Sequence, residues 1–173
     1  MKPHEIHRAR AGRTLDFQLV TVSSSRYEKK RQGRPVKDES GDVAEKVVLK
    51  WGHKLERRGL ISDDKRLVTR AVRDFLGGKS DVLVLMGGTG ISSTDVTIET
   101  VRPLLEKELE GFGELFRATS FREIGTAAVL TRATAGVSGG KLLLCLPGSP
   151  DAVKTALELF MGEFPHVINI ART

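Results

Sequence analysis

The sequence predicts an α/β fold, doubly wound, with a mostly parallel sheet flanked by helices on both faces. Three observations lead there. The segments DFQLVTV (16–22), DVLVLM (81–86) and KLLLCL (141–146) are apolar almost without alternation, the pattern of strands covered on both faces. Segments with apolar residues at helical spacing lie between them, so strands alternate with helices. Each of the three strands then runs into small and hydroxyl-bearing residues, SSSR, GGTG and LPGSP.

The elements follow in order. Residues 1–14, MKPHEIHRARAGRT, are polar and basic and are expected to form an arm; they contain no apolar signal-peptide stretch. DFQLVTV is the first strand. SSSRYEKKRQGRPVKDESG (23–41) is expected to be a long loop, and long loops inside compact domains are usually functional. A helix follows over 42–52, with Val43, Val47, Val48 and Trp51 on one face and Gly52 as its stop. HKLERRGLI (53–61) is the second strand. Residues 62–78 form an amphipathic helix with Leu67, Val68, Ala71, Val72 and Phe75 inward, acids at its start and Gly77-Gly78 at its end. After DVLVLM, residues 95–111 predict a helix in which Pro103 either makes a bend or begins a second segment. Residues 112–136 predict short, interrupted helices, 140–150 a buried strand ending in a Pro/Gly turn, and 151–164 a last helix. With no repeat and no linker composition, residues 1–173 are expected to form one domain preceded by its arm.

Composition bounds the function. Hydrophobic content of 39% against 29% charged residues fits a globular protein, and the apolar runs are too short for a transmembrane helix. One cysteine, Cys145, rules out an intramolecular disulfide, favours a cytoplasmic location and reads as a small buried apolar residue. The net charge of +6 is uneven: residues 1–37 hold ten Lys/Arg against three Asp/Glu, and the remainder is nearly neutral. Nucleic acid is a poor fit to that basic stretch, because Tyr27 is its one aromatic beyond Phe17 of the strand. An anionic small molecule, or simple solvation, fits as well.

In an open α/β sheet, ligands bind beyond the carboxyl ends of the strands, where SSSR, GGTG and LPGSP all fall. Gly87, Gly88 and Gly90 let backbone approach a ligand and permit positive φ, and successive N–H groups there can cradle an anion. Thr89, Ser92 and Ser93 add hydroxyls. An ordinary strand-to-helix turn explains GGTG alone equally well. The spacing fits neither G-x-x-x-x-G-K-[ST] nor G-x-G-x-x-G, which argues against a standard ATPase or dehydrogenase. Asp95 has two readings. It is a helix N-cap, or it is an acid beside a phosphate site. In the second case a carboxylate about 5 Å from a phosphate charge costs roughly 1 kcal/mol even in water, unless a cation sits between. Mg²⁺ held by one or two carboxylates and substrate phosphates meets that need. Asp63 and Asp64 are candidates for the second carboxylate, with helix capping as the alternative.

The residues VSSSR, DESGD, GHKLERRGLISDDK, DVLVLMGGTGISSTDVTIETV, GFGELFR, GTAAVLTRATAG and LPGSPDAV resemble, in that order, the MoaB/MogA family of molybdenum-cofactor biosynthesis, and the long basic loop is more similar to its MoaB branch. The resemblance covers about residues 15–165. It implies a MogA-like subunit, assembled as a homotrimer or homohexamer, that moves AMP from ATP to molybdopterin with release of pyrophosphate and needs Mg²⁺. It implies Asp95 as the indispensable acid and metal ligand, with Asp63 or Asp64 as the other catalytic acid and Asp63 as second metal ligand. It places Gly87, Gly88, Thr89 and Gly90 at the nucleotide phosphates. Ser23, Ser24, Ser25, Arg26, Ser138 and the turn Pro147, Gly148, Ser149 then line the pterin or nucleotide pocket. Ser93-Thr94 stand where the family often has a basic residue before the aspartate, so one phosphate contact is expected from elsewhere. The alternative function is a non-catalytic carrier or scaffold that binds molybdopterin or a nucleotide in the same pocket. No membrane partner is expected.

Overall fold

A computed structural model describes residues 13–173, so all of the expected arm except Arg13 and Thr14 lies outside the described residues. The strands are β1 (Asp16–Val22), β2 (Lys54–Ile61), β3 (Val82–Met86), β4 (Lys107–Glu108), β5 (Thr134–Ser138) and β6 (Lys141–Leu146). They form one six-stranded sheet in the order β2-β1-β3-β6-β5-β4. The first four of that order run parallel, while β5 is antiparallel to β6 and β4 to β5. The chain moves outward from β1 to β2, then returns past β1 to β3 and β6, which makes the sheet doubly wound.

Side chains alternate across the central strands with period two. Phe17, Leu19, Val82, Val84, Met86, Leu142, Leu144 and Leu146 face one layer. Val20, Val22, Leu83, Leu85, Leu143 and Cys145 face the other. The first layer is closed by helices α2 (Glu39–Lys50), α5 (Glu110–Ile124), α6 (Pro150–Phe160) and α7 (Phe164–Ala171), the second by α3 (Lys65–Gly77) and α4 (Thr97–Val101). This two-sided burial is why the three apolar runs lack alternation. Cys145 is fully buried, and burial pushes its thiol well above the usual range, as suits an inert packing residue.

Four expectations change. The loop 23–41 contains a helix, α1 (Ser24–Arg31), capped by Ser23, and the first turn of α2, capped by Asp38. None of the α1 residues is buried, so the helix leaves no apolar period to detect. The helix expected over 95–111 shrinks to α4, a 3-10 turn at Arg102–Leu104 and β4, with Pro103 inside the turn. The stretch 112–136 is mostly one 15-residue helix, α5, then a 3-10 turn at Gly125–Leu130 and the strand β5. Small residues Thr134-Ala135-Gly136 hide that strand from propensity, and they are needed there: a Cβ on Gly136 would lie 2.6 Å from the Lys107 carbonyl of β4. Finally, α7 extends the chain past the expected end of the last helix.

The amino end of the sheet is tied by charge. Asp81, just before β3, is 1% exposed. It accepts from the Asp16 amide (2.9 Å) and from Arg172 Nη2 (2.7 Å), joining β1, β3 and the last turn of the chain. Lys141 Nζ donates to the carbonyls of Phe75 (2.9 Å) and Gly78 (2.6 Å), closing the end of α3.

Candidate functional site

The carboxyl ends of β1, β3 and β6 are level, since Thr21 pairs with Met86 and Met86 with Leu146. Ser23, Gly87 and Pro147 therefore emerge side by side. Gly87 donates its amide to the Leu146 carbonyl (2.9 Å), and its own carbonyl accepts from Thr97 Oγ1 (2.8 Å). Its φ of +107° and the 2.2 Å that a Cβ would leave to the Val22 carbonyl both require glycine. Gly88, at φ +63°, is confined between Thr97 and Asp63. Gly90 does not take positive φ; it is small because a Cβ would stand 2.7 Å from Asp95 Oδ2. Gly148 approaches Gly87 in the same way, with only 3.2 Å from its would-be Cβ to the Gly87 Cα, and its carbonyl accepts from the buried Ser40 hydroxyl at 2.6 Å.

Above these turns opens a cleft of about 630 Å³. Of the residues singled out from the sequence, it is lined by Ser23, Arg26, Asp63, Gly87, Gly88, Thr89, Gly90, Asp95, Pro147, Gly148 and Ser149. The two acids reach it differently. Asp95 does not cap α4, whose N-cap is Val96 with no side-chain bond; its Oδ2 accepts from the Ser92 amide at 2.9 Å. The capping reading of Asp95 is thus corrected, because the helix begins two residues later than expected. Asp63 accepts at Oδ2 from the Ser24 amide and hydroxyl, both at 2.7 Å, which turns Oδ1 toward Gly88. Among the described residues neither Asp63 nor Asp95 forms an ion pair.

Other expected residues stand outside the cleft. Asp64 caps α3, accepting from the amides of Arg66 (2.8 Å) and Leu67 (3.1 Å), so its carboxylate is used by the helix. Ser24 acts behind the wall by holding Asp63, and the Ser25 hydroxyl meets that of Ser23 at 3.4 Å. Ser138 does not join the others. It ends β5, which runs antiparallel to β6 and pairs Ser138 with Lys141 at the start of β6. That puts it at the amino end of the sheet, roughly 16 Å of strand from the cleft. Of the basic residues of the 26–37 segment, Arg26 lines the cleft, Arg31 pairs with Glu28, and Lys30 and Arg34 border a separate hollow near Arg58.

Sequence reasoning missed one wall. Ser120, Glu123 and Ile124 of α5 and Leu130, Thr131 and Arg132 after it also line the cleft. Arg132 Nη1 donates to the Gly90 carbonyl at 2.6 Å and Nη2 to Glu99 of α4. Burial pushes the Glu99 carboxyl up, but the hydrogen bond and charge of Arg132 outweigh this and hold it below the usual range. The advance signals were the missing basic residue before Asp95 and the long irregular stretch through GTAAVLTRATAG, which could either cover a subunit interface or close the pocket.

Among the described residues no group of three or more His, Cys, Asp or Glu is arranged to hold a metal by itself. Two carboxylates pressed against a glycine loop fit a different kind of site, in which a hard cation is shared between protein oxygens and ligand phosphates. Bare backbone, flanking hydroxyls, two unpaired acids and the arginines Arg26 and Arg132 suit a phosphorylated ligand carried with a divalent ion.

Residues 18–166 match the family described as probable molybdopterin binding domain. A molybdopterin adenylyltransferase of Pyrococcus furiosus is 40% identical over 172 residues, covering 97% of this chain and 98% of that one. Molybdenum cofactor biosynthesis protein B of Staphylococcus carnosus is 38% identical, covering 98% of each. The crystal structure of the tungsten cofactor synthesizing protein MoaB from Pyrococcus furiosus superposes with a TM-score of 0.82 at 39% identity, over 93% of this chain and 99% of that one.

Proposed function

The chain belongs to the molybdopterin-binding domain family, and on that premise we propose the following chemistry for it. It is a nucleotidyltransferase of molybdenum-cofactor biosynthesis, a molybdopterin adenylyltransferase. A terminal phosphate oxygen of molybdopterin attacks the α-phosphorus of ATP, the bond from that phosphorus to the bridging oxygen breaks, and pyrophosphate leaves. The attacking oxygen is already ionised at neutral pH, so the step needs no strong base, and positioning with charge neutralisation carries most of the catalysis. The observation that supports this most is the glycine loop Gly87–Gly90, enclosed by Asp63 on one side and Asp95 on the other.

In this reading Gly87, Gly88, Thr89 and Gly90 receive the nucleotide phosphates. Asp95 and Asp63 would hold Mg²⁺, and such an ion would supply charge neutralisation at the phosphates and the leaving pyrophosphate. Ser24 keeps Asp63 turned into the cleft. Arg26, beyond β1, and the Pro147–Ser149 turn, beyond β6, flank the glycine loop and take the pterin or the rest of the nucleotide. The domain is a single one, and its segment 26–37 draws in anions chiefly through Arg26. A cytoplasmic location fits the single-cysteine composition. Leu115, Phe121, Ile124, Val129 and Leu130 are more than half exposed on α5 and the turn after it. Copies of the chain cover part of this exposed apolar surface in a homotrimer or homohexamer, which light scattering of the purified protein measures.

The deciding experiment incubates the protein with molybdopterin, ATP and Mg²⁺ and follows pyrophosphate. Release that requires both molybdopterin and Asp95 is the expected result. Molybdopterin binding without release, under any divalent metal, would replace this reading with that of a carrier.

A further inference from the structure

The tip of the glycine loop is held to the rest of the chain at one point. Its base is stapled by Thr97, whose hydroxyl donates to the Gly87 carbonyl (2.8 Å) and whose amide donates to that of Gly88 (2.9 Å). Beyond Gly90 the bonds turn local. The Ser92 amide meets Asp95 Oδ2, the Asp95 amide meets the Ser92 carbonyl, and the hydroxyls of Ser92 and Thr94 meet each other. Ile91, Ser92, Ser93 and Thr94 are all exposed. Among the described residues, the one hydrogen bond from the 90–95 tip to a distant segment is that of Arg132 to the Gly90 carbonyl, 2.6 Å long and 42 residues apart in sequence.

The other arm of the same guanidinium holds Glu99 on α4. Arg132 therefore grips the chain on both flanks of Asp95, before it at Gly90 and after it at Glu99. Gly90 is in turn the residue that abuts the Asp95 carboxylate, with 2.7 Å between its would-be Cβ and Oδ2. A planar fork with fixed donors makes two such contacts at once, whereas an ammonium group is a single point charge. Loss of the fork frees an exposed tip whose remaining bonds all move with it.

We propose that Arg132 is the positioning residue of the site: through Gly90 and Glu99 it fixes Asp95 where that carboxylate meets the divalent ion and the nucleotide phosphates. This rests on the functional reading above. Arg132 need not touch substrate to act, and its role differs from that of a residue that merely stabilises the fold.

The test compares wild type, Arg132→Lys, Arg132→Ala and Asp95→Asn. Turnover is measured as pyrophosphate release at varied Mg²⁺, and Mn²⁺ binding in the presence of ATP alone is measured by electron paramagnetic resonance. A misplacement of about 1 Å costs on the order of 100-fold, so Arg132→Ala should lose about that much kcat with little change in KM for molybdopterin. Its metal affinity should fall about tenfold, the usual cost of removing a residue that orients a metal ligand. Arg132→Lys should lie between, and added methylguanidinium should restore part of the Arg132→Ala rate. Wild-type kcat and metal affinity in Arg132→Ala overturn the proposal. So does lost activity with unchanged metal affinity, no rescue and a collapsed melting temperature. If wild type releases no pyrophosphate, the adenylyltransferase reading fails, and the Mn²⁺ measurement with ATP still decides for or against Arg132.

Discussion

The two ends of the sheet treat their aspartates in opposite ways. At the amino end, Asp81 has a side chain 2% exposed and is surrounded by donors: the Asp16 amide, Arg172 at 2.7 Å and Arg13 at 3.5 Å. Burial alone would push its carboxyl up, but the backbone bond and the two guanidinium groups together hold it below the usual carboxylate range. At the carboxyl end, among the described residues, Asp63 and Asp95 accept from neutral amides and a hydroxyl and from no cation, and the nearby Arg132 is occupied by Glu99 and Gly90. A buried charge whose partners all lie within the chain stabilises the fold. An acid left without a cation at a cleft suits a ligand that brings one.

That contrast can be broken by substitution. Asp95→Asn should lower pyrophosphate release on the order of 1,000-fold or more, since in the proposed reaction it removes charge beside the reacting phosphates, while the thermal midpoint stays close to wild type. Asp63→Asn should follow in the same direction. A variant at Asp95 that kept full activity would place both ends of the sheet in the same structural class. Asp81→Asn should do the reverse. Breaking a buried pair from one side costs about 3 kcal/mol, seen in urea melts, with KM for ATP unchanged in the protein that remains folded. Because the folded Asp81 carboxyl titrates low, its contribution is present above the ordinary carboxylate pKa and is lost as pH falls through the folded value. The acid limb of the stability curve should therefore flatten in Asp81→Asn.

Asp64→Ala sharpens the contrast between neighbours. It should cost about 1 kcal/mol as a lost N-cap, measured by thermal melting, and should leave turnover nearly intact, whereas Asp63 variants lose turnover and little stability. The smallest effect concerns His53. Burial lowers its pKa, and its neutral Nδ1 accepts the Leu15 amide at 3.3 Å. The folded state thus prefers the uncharged ring. Stability should be full above the free imidazole value of about 6.5 and decline as pH drops toward the folded value, a slope read from melting midpoints between neutral and mildly acidic pH.

Much of this was legible in the residues. DFQLVTV, DVLVLM and KLLLCL announced the central strands because both of their faces are covered, and the helix of Leu67, Val68, Val72 and Phe75 announced itself by its period. The glycine loop and Asp95 stood out differently, by their place after a buried strand and by glycine and carboxylate chemistry, and the structure puts both on the cleft. Helix α1 was not, since a helix with nothing buried carries no apolar pattern. Strand β5 was not, since its small residues serve close packing against β4 rather than propensity. With β5 unseen, its direction was unseen too, and Ser138 was assigned to the wrong end of the sheet.

The sequence by itself determined that the three central strands and the apolar helix faces on them are buried, where the chain turns on glycine, and that each of those strands ends in a hydroxyl- or glycine-rich turn. These are local properties, written in hydrophobic period and turn chemistry. Tertiary structure decided that Asp63 faces the cleft while Asp64 caps a helix, that Arg132 crosses 42 residues to hold Gly90, and that Ser138 lies away from both. Such outcomes depend on strand order and direction and on which side chain finds which partner in space, and no apolar run or motif encodes a pairing between distant segments.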